Sequence, residues 1–142
     1  YFELESNRRG NHYDAFTEID FSQYDDREGM KLVRPVAKRP MQFISGVRDG
    51  NWLVFNNMCF KQSPQKVTIE LQAETPGTVI EIREGSLDGK LIATCPINQN
   101  QTPGEWEKQA FEVSGAVKDK SKIYFLFRGQ SQGLAIKNFV FY

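Results

Sequence analysis

The chain has 142 residues, enough for one domain with a single sizeable core. Its 18 basic and 18 acidic residues give no net charge, so nothing attracts it to nucleic acid or to an anionic membrane. No apolar run is long enough to span a membrane, and no signal peptide is visible. Because the chain begins at Tyr1 rather than Met, we expect a module of a longer protein rather than a free-standing enzyme.

The first 48 residues are the least regular part of the chain. Residues 1–5 alternate between polar and apolar side chains like an edge strand, and residues 15–21 are a second candidate strand. The charged run at 25–29 ends in glycine, which predicts a turn. Residues 31–40 carry four basic side chains, two prolines and no acid, which favours a solvated loop over a groove for polyanions.

Short apolar-alternating runs dominate the rest of the chain. Every second residue of 67–74 is apolar, and residues 80–83 repeat the pattern, which is the period of a half-buried strand. Between them Thr-Pro-Gly-Thr at 75–78 predicts a hairpin turn. Further strands are predicted at 52–55, 91–94, 111–113, 122–127 and 136–141. This spacing predicts an all-β fold, an antiparallel β-sandwich or barrel.

Two turns each carry one of the two tryptophans, Asp-Gly-Asn-Trp at 49–52 and Pro-Gly-Glu-Trp at 103–106. Aromatic rings held at loop tips of a rigid β scaffold are suited to binding sugars. Each ring also has a structural interpretation, since Trp52 would serve equally as a packing residue and Trp106 as an exposed turn residue.

An enzyme is the alternative class. His12 is the only histidine, and the chain has no nucleophile-elbow motif. A glycosidase would need two carboxylates at a defined separation, for which the acidic residues between 14 and 26 are candidates. Cys59 and Cys95 lie in or beside apolar strands, which favours two buried free thiols over a disulfide.

The order of these segments resembles a family-6 carbohydrate-binding module over residues 15–142. The most specific match is residues 80–94, where a strand with Arg83 precedes an acidic-serine turn and a Leu-Ile-Ala-Thr run. The resemblance implies a jelly-roll β-sandwich of the galactose-binding-domain-like type. Residues 1–14 would then be an N-terminal extension or the remnant of a preceding domain.

The family's loop-tip site uses a Tyr and a Trp that sandwich one sugar ring, with an Asn that binds its hydroxyls. Trp106 matches the Trp, but Gly46 stands at the Tyr position and Ala135 at the Asn position. Only one of the three groups is therefore kept. A second ring would have to come from Phe43, His12 or Tyr13.

The family's second site lies on a sheet face. Trp52 matches its tryptophan, and Glu81, Arg83 and Lys137 are candidate hydrogen-bonding partners if the register places them on the same face. Carbohydrate binding is thus predicted for Trp106, Trp52, Glu81, Arg83 and Phe43.

Many members of the family hold a structural calcium ion through acidic residues of the first and last strands. The matching positions here are Asp20, Ser22 and Lys137, and a lysine ammonium repels calcium. We expect no metal or other cofactor, with Lys137 paired to Asp20 in place of the ion.

The resemblance implies a non-catalytic module that targets a glycoside hydrolase in the same chain, of family 43 among others, to a polysaccharide. Such a protein would be secreted, periplasmic or at the cell surface of a bacterium. The alternative is a structural domain that has lost sugar binding and packs against its catalytic partner.

Overall fold

The structure is a computed structural model that describes residues 12–34 and 42–142. It is built from strands and one short 3-10 turn (Phe21–Gln23), and within those ranges no helix is long and apolar enough to cross a membrane. The strands are β1 (Tyr13–Asp14), β2 (Ile19–Asp20), β3 (Asp26–Glu28), β4 (Lys31–Val33), β5 (Phe43–Ser45), β6 (Trp52–Cys59), β7 (Lys66–Gln72), β8 (Val79–Glu84), β9 (Lys90–Pro96), β10 (Glu107–Glu112), β11 (Ser121–Arg128) and β12 (Ala135–Phe141). The predicted all-β class is confirmed. The candidate strand at 1–5 and most of the basic stretch at 31–40 lie outside the described residues.

The strands form two sheets. In the first sheet the order is β1-β6-β11-β8-β9, and β3 also pairs with β6. In the second sheet the order is β10-β7-β12-β5-β4, and β2 also pairs with β12. All pairs are antiparallel except the short β1–β6 pair. This is the predicted β-sandwich, with two outer sheet faces on which side chains are open to ligands.

The core between the sheets is dominated by phenylalanine. Phe55 and Phe125 of the first sheet meet Phe139 of the second with ring centroids 5.1 and 4.7 Å apart. Phe21, from the 3-10 turn, packs against all three of these rings, and all four are fully buried. These edge-to-face and tilted ring contacts join the two sheets at the centre of the core.

The hairpin predicted at residues 75–78 is wrong, because β7 lies in the second sheet and β8 in the first. The segment instead crosses between the sheets and is tied to the loop after β11. Thr78 and Ser131 exchange hydrogen bonds, each backbone N–H donating to the other's hydroxyl at 2.9 Å. Gly77 has φ 135°, and a Cβ there would lie 2.5 Å from the carbonyl oxygen of Gln130. Alternation marks a strand, but this close approach decides which sheet the strand joins.

Of the strand predicted at residues 15–21, only Ile19–Asp20 is a strand. The Asp14 carboxylate accepts the N–H of Phe16 at 3.0 Å, which turns the chain before β2. The side-chain oxygen of Gln23 accepts the N–H of Asp20 and begins the 3-10 turn. Residues 15–21 therefore bury their apolar side chains without forming one continuous strand.

Two further expectations for this region need correction. Residues 26–28 are strand β3 on the edge of β6, and the turn comes later, where Gly29 and Met30 both have positive φ. Tyr13, assigned by sequence to the extension, is buried in the core, and β1 pairs with β6. The sandwich thus includes residues 13–14, which alternation could not reveal in a two-residue strand.

Candidate functional site

The outer face of the first sheet brings Trp52 and Glu81 into one row. Leu126 lies directly opposite both of them, Trp52 on β6 and Glu81 on β8. Their neighbours Leu53 and Ile82 point the other way and are fully buried in the core. Alternation along each strand therefore presents Trp52 and Glu81 to the outside.

The next row of this face adds a second aromatic ring. Tyr124 lies opposite Val54 on one side and Arg83 on the other. The rings of Trp52 and Tyr124 are 5.8 Å apart at 62°. We call the outer surface formed by Trp52, Tyr124, Glu81 and Arg83 the Trp52 face. The sequence did not single out Tyr124, because its proximity to Trp52 depends on the pairing of β11 with β6.

Both rings of the Trp52 face are partly exposed. Between them, Val54 and Leu126 also point outward, yet they are almost fully buried. Neighbouring side chains of the same face therefore shield them from water. Trp52 and Tyr124 consequently combine an apolar underside with accessible ring surface, which is what stacking on a sugar requires.

A fixed ion pair adjoins the aromatic rings. Arg83 donates from Nε and Nη2 to Oε1 of Glu81 at 3.1 and 3.0 Å. Its Nη1 donates to the carbonyl oxygen of Gly89 at 2.8 Å, which locks the guanidinium. The other carboxylate oxygen of Glu81 remains an acceptor for a hydroxyl. The register thus places Glu81 and Arg83 on the same outer face as Trp52, one strand beyond Leu126 and Tyr124.

Lys137 does not belong to the Trp52 face. It lies on β12 of the second sheet, where its Nζ is 3.8 Å from Oε1 of Glu70 and 5.7 Å from the Trp106 ring centroid. The predicted pairing of Lys137 with Asp20 is therefore wrong. Glu70 is the nearer carboxylate because Lys137 sits at a register shift of β12, between Ile136 and Asn138.

Trp106 lies just before β10, on the outer side of the second sheet. Its ring contacts that of Phe43, with centroids 5.2 Å apart at 65°. We call Trp106, Phe43, Lys137 and Glu70 the Trp106 cluster. A sugar ring held between two aromatic rings needs a van der Waals contact on each side, so the two aromatic rings must be about 7–8 Å apart. The structure brings Phe43 and Trp106 together, but leaves no space between them for a sandwiched sugar.

The other two rings considered for the loop tip lie elsewhere. Tyr13 is buried, and its hydroxyl donates to the carbonyl oxygen of Gln23 at 2.8 Å. His12 is exposed at the start of the first described range. Tyr13 is therefore unavailable to a ligand, because its ring is buried in the core.

The loop tip itself is open. Gly46 and Ala135 line a cavity of about 430 Å³. A second cavity of about 270 Å³ shares Gly133 with it and is lined by Pro103 and Gly104. Among the described residues that line these two cavities there is no aromatic ring. Small residues at 46 and 135 thus leave space where the family pattern has a Tyr and an Asn.

The residues at the family's calcium positions do not fit the ion. Asp20 is exposed, Ser22 offers only a hydroxyl, and Lys137 brings a cation. Asn138, which pairs with Asp20, donates from Nδ2 to Oε1 of Glu70 at 2.9 Å. In the described part of the chain, no three acidic, histidine or cysteine side chains converge on one point.

The two cysteines form no disulfide with each other. Cys95 is fully buried, and its burial raises the pKa of the thiol to about 12. Cys59 is half-buried, and its Sγ lies 3.6 Å from the carbonyl oxygen of Asn57. Both are free, and Cys95 is protonated at any ordinary pH.

Comparison with known proteins identifies one family. Residues 22–142 match the family model described as carbohydrate binding module (family 6). The chain is 29% identical over 92 residues, 65% of its length, to an arabinoxylan arabinofuranohydrolase of Bacillus subtilis. It spans 18% of the length of that curated relative.

Solved structures show the same fold. A family 6 carbohydrate-binding module from Clostridium cellulolyticum, solved in complex with xylose, has a TM-score of 0.80 and 25% identity, covering 91% of this chain and 98% of that one. A β-1,3-glucan binding module from Bacillus halodurans has a TM-score of 0.81 and 21% identity, covering 92% and 98%. A family 43 arabinoxylan arabinofuranohydrolase from Bacillus subtilis, in complex with cellotetraose, has a TM-score of 0.80 and 20% identity, covering 92% of this chain and 28% of that enzyme.

Proposed function

Because this chain belongs to the family 6 carbohydrate-binding modules, which are non-catalytic, we propose that it binds a β-linked polysaccharide through the Trp52 face. The observation that carries the proposal is the partly exposed pair of Trp52 and Tyr124 beside the fixed Glu81–Arg83 pair. The loop tip keeps Trp106 alone of its three family groups, and that ring packs on Phe43.

The energetics favour two rings over one. Covering one face of a Trp removes roughly 100 Å² from water, worth on the order of 2.5 kcal/mol. A millimolar dissociation constant already needs about 4 kcal/mol. One ring by itself cannot reach it, whereas Trp52 and Tyr124 together with hydrogen bonds to Glu81 can. The open Trp52 face also suits an internal stretch of a chain, since a flat surface does not require a chain end.

The biological role that we propose is targeting. Weak stacking on a plant or algal polysaccharide would hold an attached glycoside hydrolase near its substrate, which raises the effective substrate concentration. The curated relative is a bacterial arabinoxylan arabinofuranohydrolase of which this chain spans 18%, and the module found in complex with xylose supports xylan as the first glycan to test. A protein of this kind would act outside the cell or in the periplasm.

Isothermal titration with xylo-, cello-, laminari- and arabino-oligosaccharides tests the proposal. We expect heat of binding with at least one of them, at dissociation constants between about 10 μM and 1 mM. Absence of heat with every ligand would contradict sugar binding. It would favour the alternative, a structural domain that packs against its catalytic partner through one of its aromatic surfaces.

We also propose that the module folds without calcium, since Lys137 and Glu70 supply a local charge pair in place of the ion. Melting followed by circular dichroism should give the same midpoint, within about 1 °C, in millimolar EDTA and in millimolar CaCl₂. A ligand that binds only the folded state at 100 times its dissociation constant adds about 2.7 kcal/mol of stability. A calcium-dependent rise of several degrees would therefore refute calcium independence.

A further inference from the structure

We propose that the Trp52 face recognises glycans that carry a carboxylate, meaning uronic acid residues on or within a β-linked chain. This inference rests on the proposed function of the same face. Two arginines, Arg83 and Arg128, share the carboxylate of Glu81.

Arg83 neutralises the charge of Glu81. Three of its N–H groups are engaged, two with Oε1 of Glu81 and one with the carbonyl oxygen of Gly89. The side chains of Arg83 and Glu81 are 22% and 21% exposed, so the pair is shielded from water on most sides. A shielded ion pair with two hydrogen bonds to one carboxylate oxygen holds its geometry and leaves no net charge.

Arg128 is the second arginine and remains available. Its Nε is 3.8 Å from Oε1 of Glu81, beyond hydrogen-bonding distance, and its side chain is 54% exposed. Arg128 therefore adds a positive charge that Glu81 does not balance, and its two terminal nitrogens face solvent or a ligand.

Among the described residues, no other carboxylate lies within ion-pair distance of Arg128. Asp26 and Glu28 are on β3, which is separated from β11 by β6. Asp49, in the adjoining loop, accepts the N–H of Gly129 at 2.8 Å through Oδ1. Within the described residues, Glu81 is the sole acidic side chain within 4 Å of the Arg128 guanidinium.

The position of Arg128 suits a ligand that stacks on Trp52. Leu126 lies opposite Trp52, and Arg128 follows two residues later on the same face, about 7 Å along the strand. An arginine side chain spans this distance easily. The guanidinium lies on the β8 side of Leu126, since Nε of Arg128 is 3.8 Å from Oε1 of Glu81. A carboxylate on the sugar next to the one stacked on Trp52 would thus meet a planar guanidinium, which binds carboxylates bidentately.

Titration with a matched pair of ligands tests the inference. The pair is a xylo-oligosaccharide that carries one uronic acid, and the same compound after reduction of its carboxyl group to an alcohol. We expect the acidic form to bind about fivefold more tightly at low salt, and the difference to vanish at about 0.5 M NaCl. Arg128→Gln should abolish the difference, whereas Lys108→Gln, which removes an equal charge from the second sheet, should preserve it.

The outcomes separate the two proposals. Equal affinity for both ligands in the wild type, or heat only with neutral oligosaccharides, overturns carboxylate recognition and leaves the proposed function in place. A preference that survives in Arg128→Gln also overturns it, because the charge would lie elsewhere. Absence of heat with these two ligands and with all neutral oligosaccharides overturns both proposals.

Discussion

Replacement of Phe139 with alanine is expected to lower the free energy of unfolding by about 3–5 kcal/mol. Phe139 is fully buried and contacts Phe55 and Phe125 across the sandwich and Phe21 from the 3-10 turn. Its loss would remove apolar burial and leave a cavity between the sheets, where no single neighbour can collapse into the space. Since domains of this size are stable by about 5–15 kcal/mol, the melting temperature should fall by roughly 10–15 °C.

The adjacent Val140→Ala change is the matched control. Val140 lies on the same strand but points to the outer face and is half-buried. It should cost less than about 1 kcal/mol. Denaturant unfolding of the two variants measures the difference. Equal losses would contradict the assignment of Phe139 to the centre of the core.

Trp52→Ala is expected to weaken binding of the preferred oligosaccharide by about 60-fold. The estimate follows from roughly 100 Å² of lost apolar contact, about 2.5 kcal/mol, at 1.4 kcal/mol for each factor of ten. Tyr124 would keep part of the surface, but without the larger ring the sugar loses its main contact. Isothermal titration and affinity electrophoresis in polysaccharide gels both measure the effect.

Trp106→Ala is the control for Trp52→Ala, because it removes the only other tryptophan from the opposite outer face. Its affinity should stay within about twofold of the wild type. Trp52→Phe, which keeps a ring, should retain intermediate affinity. A cooperative melting transition of Trp52→Ala excludes misfolding as the cause of its loss. Binding lost in Trp106→Ala and kept in Trp52→Ala would move the site to the Trp106 cluster and the loop tip.

Local patterns were sufficient for most of the strands. The alternation at 67–74 and 80–83 marked β7 and β8 to within two residues at each end. It failed where pairing or local hydrogen bonds decide the outcome. The turn at Asp14 interrupts the strand predicted at 15–21. Strand β3 forms because residues 26–28 pair with the edge of β6.

The candidate site divides in the same way. The residue types marked Trp52, Glu81 and Arg83 as candidates, but only the pairing of β6, β11 and β8 brings them to one face. The same pairing adds Tyr124 and Arg128, which no sequence pattern distinguishes from other outward residues. It also separates Lys137 from Trp52, because β12 belongs to the second sheet.

The sequence by itself determined the all-β class, the approximate strand positions and the family, because a two-residue period and the order of turns are local properties of the chain. Tertiary structure decided which sheet each strand joins, which aromatic rings meet and which carboxylate faces Lys137. Those features depend on contacts between residues far apart in the chain, such as Thr78 with Ser131 and Trp52 with Tyr124. A period of two residues is the same in either sheet, so it contains no information about the partner strand.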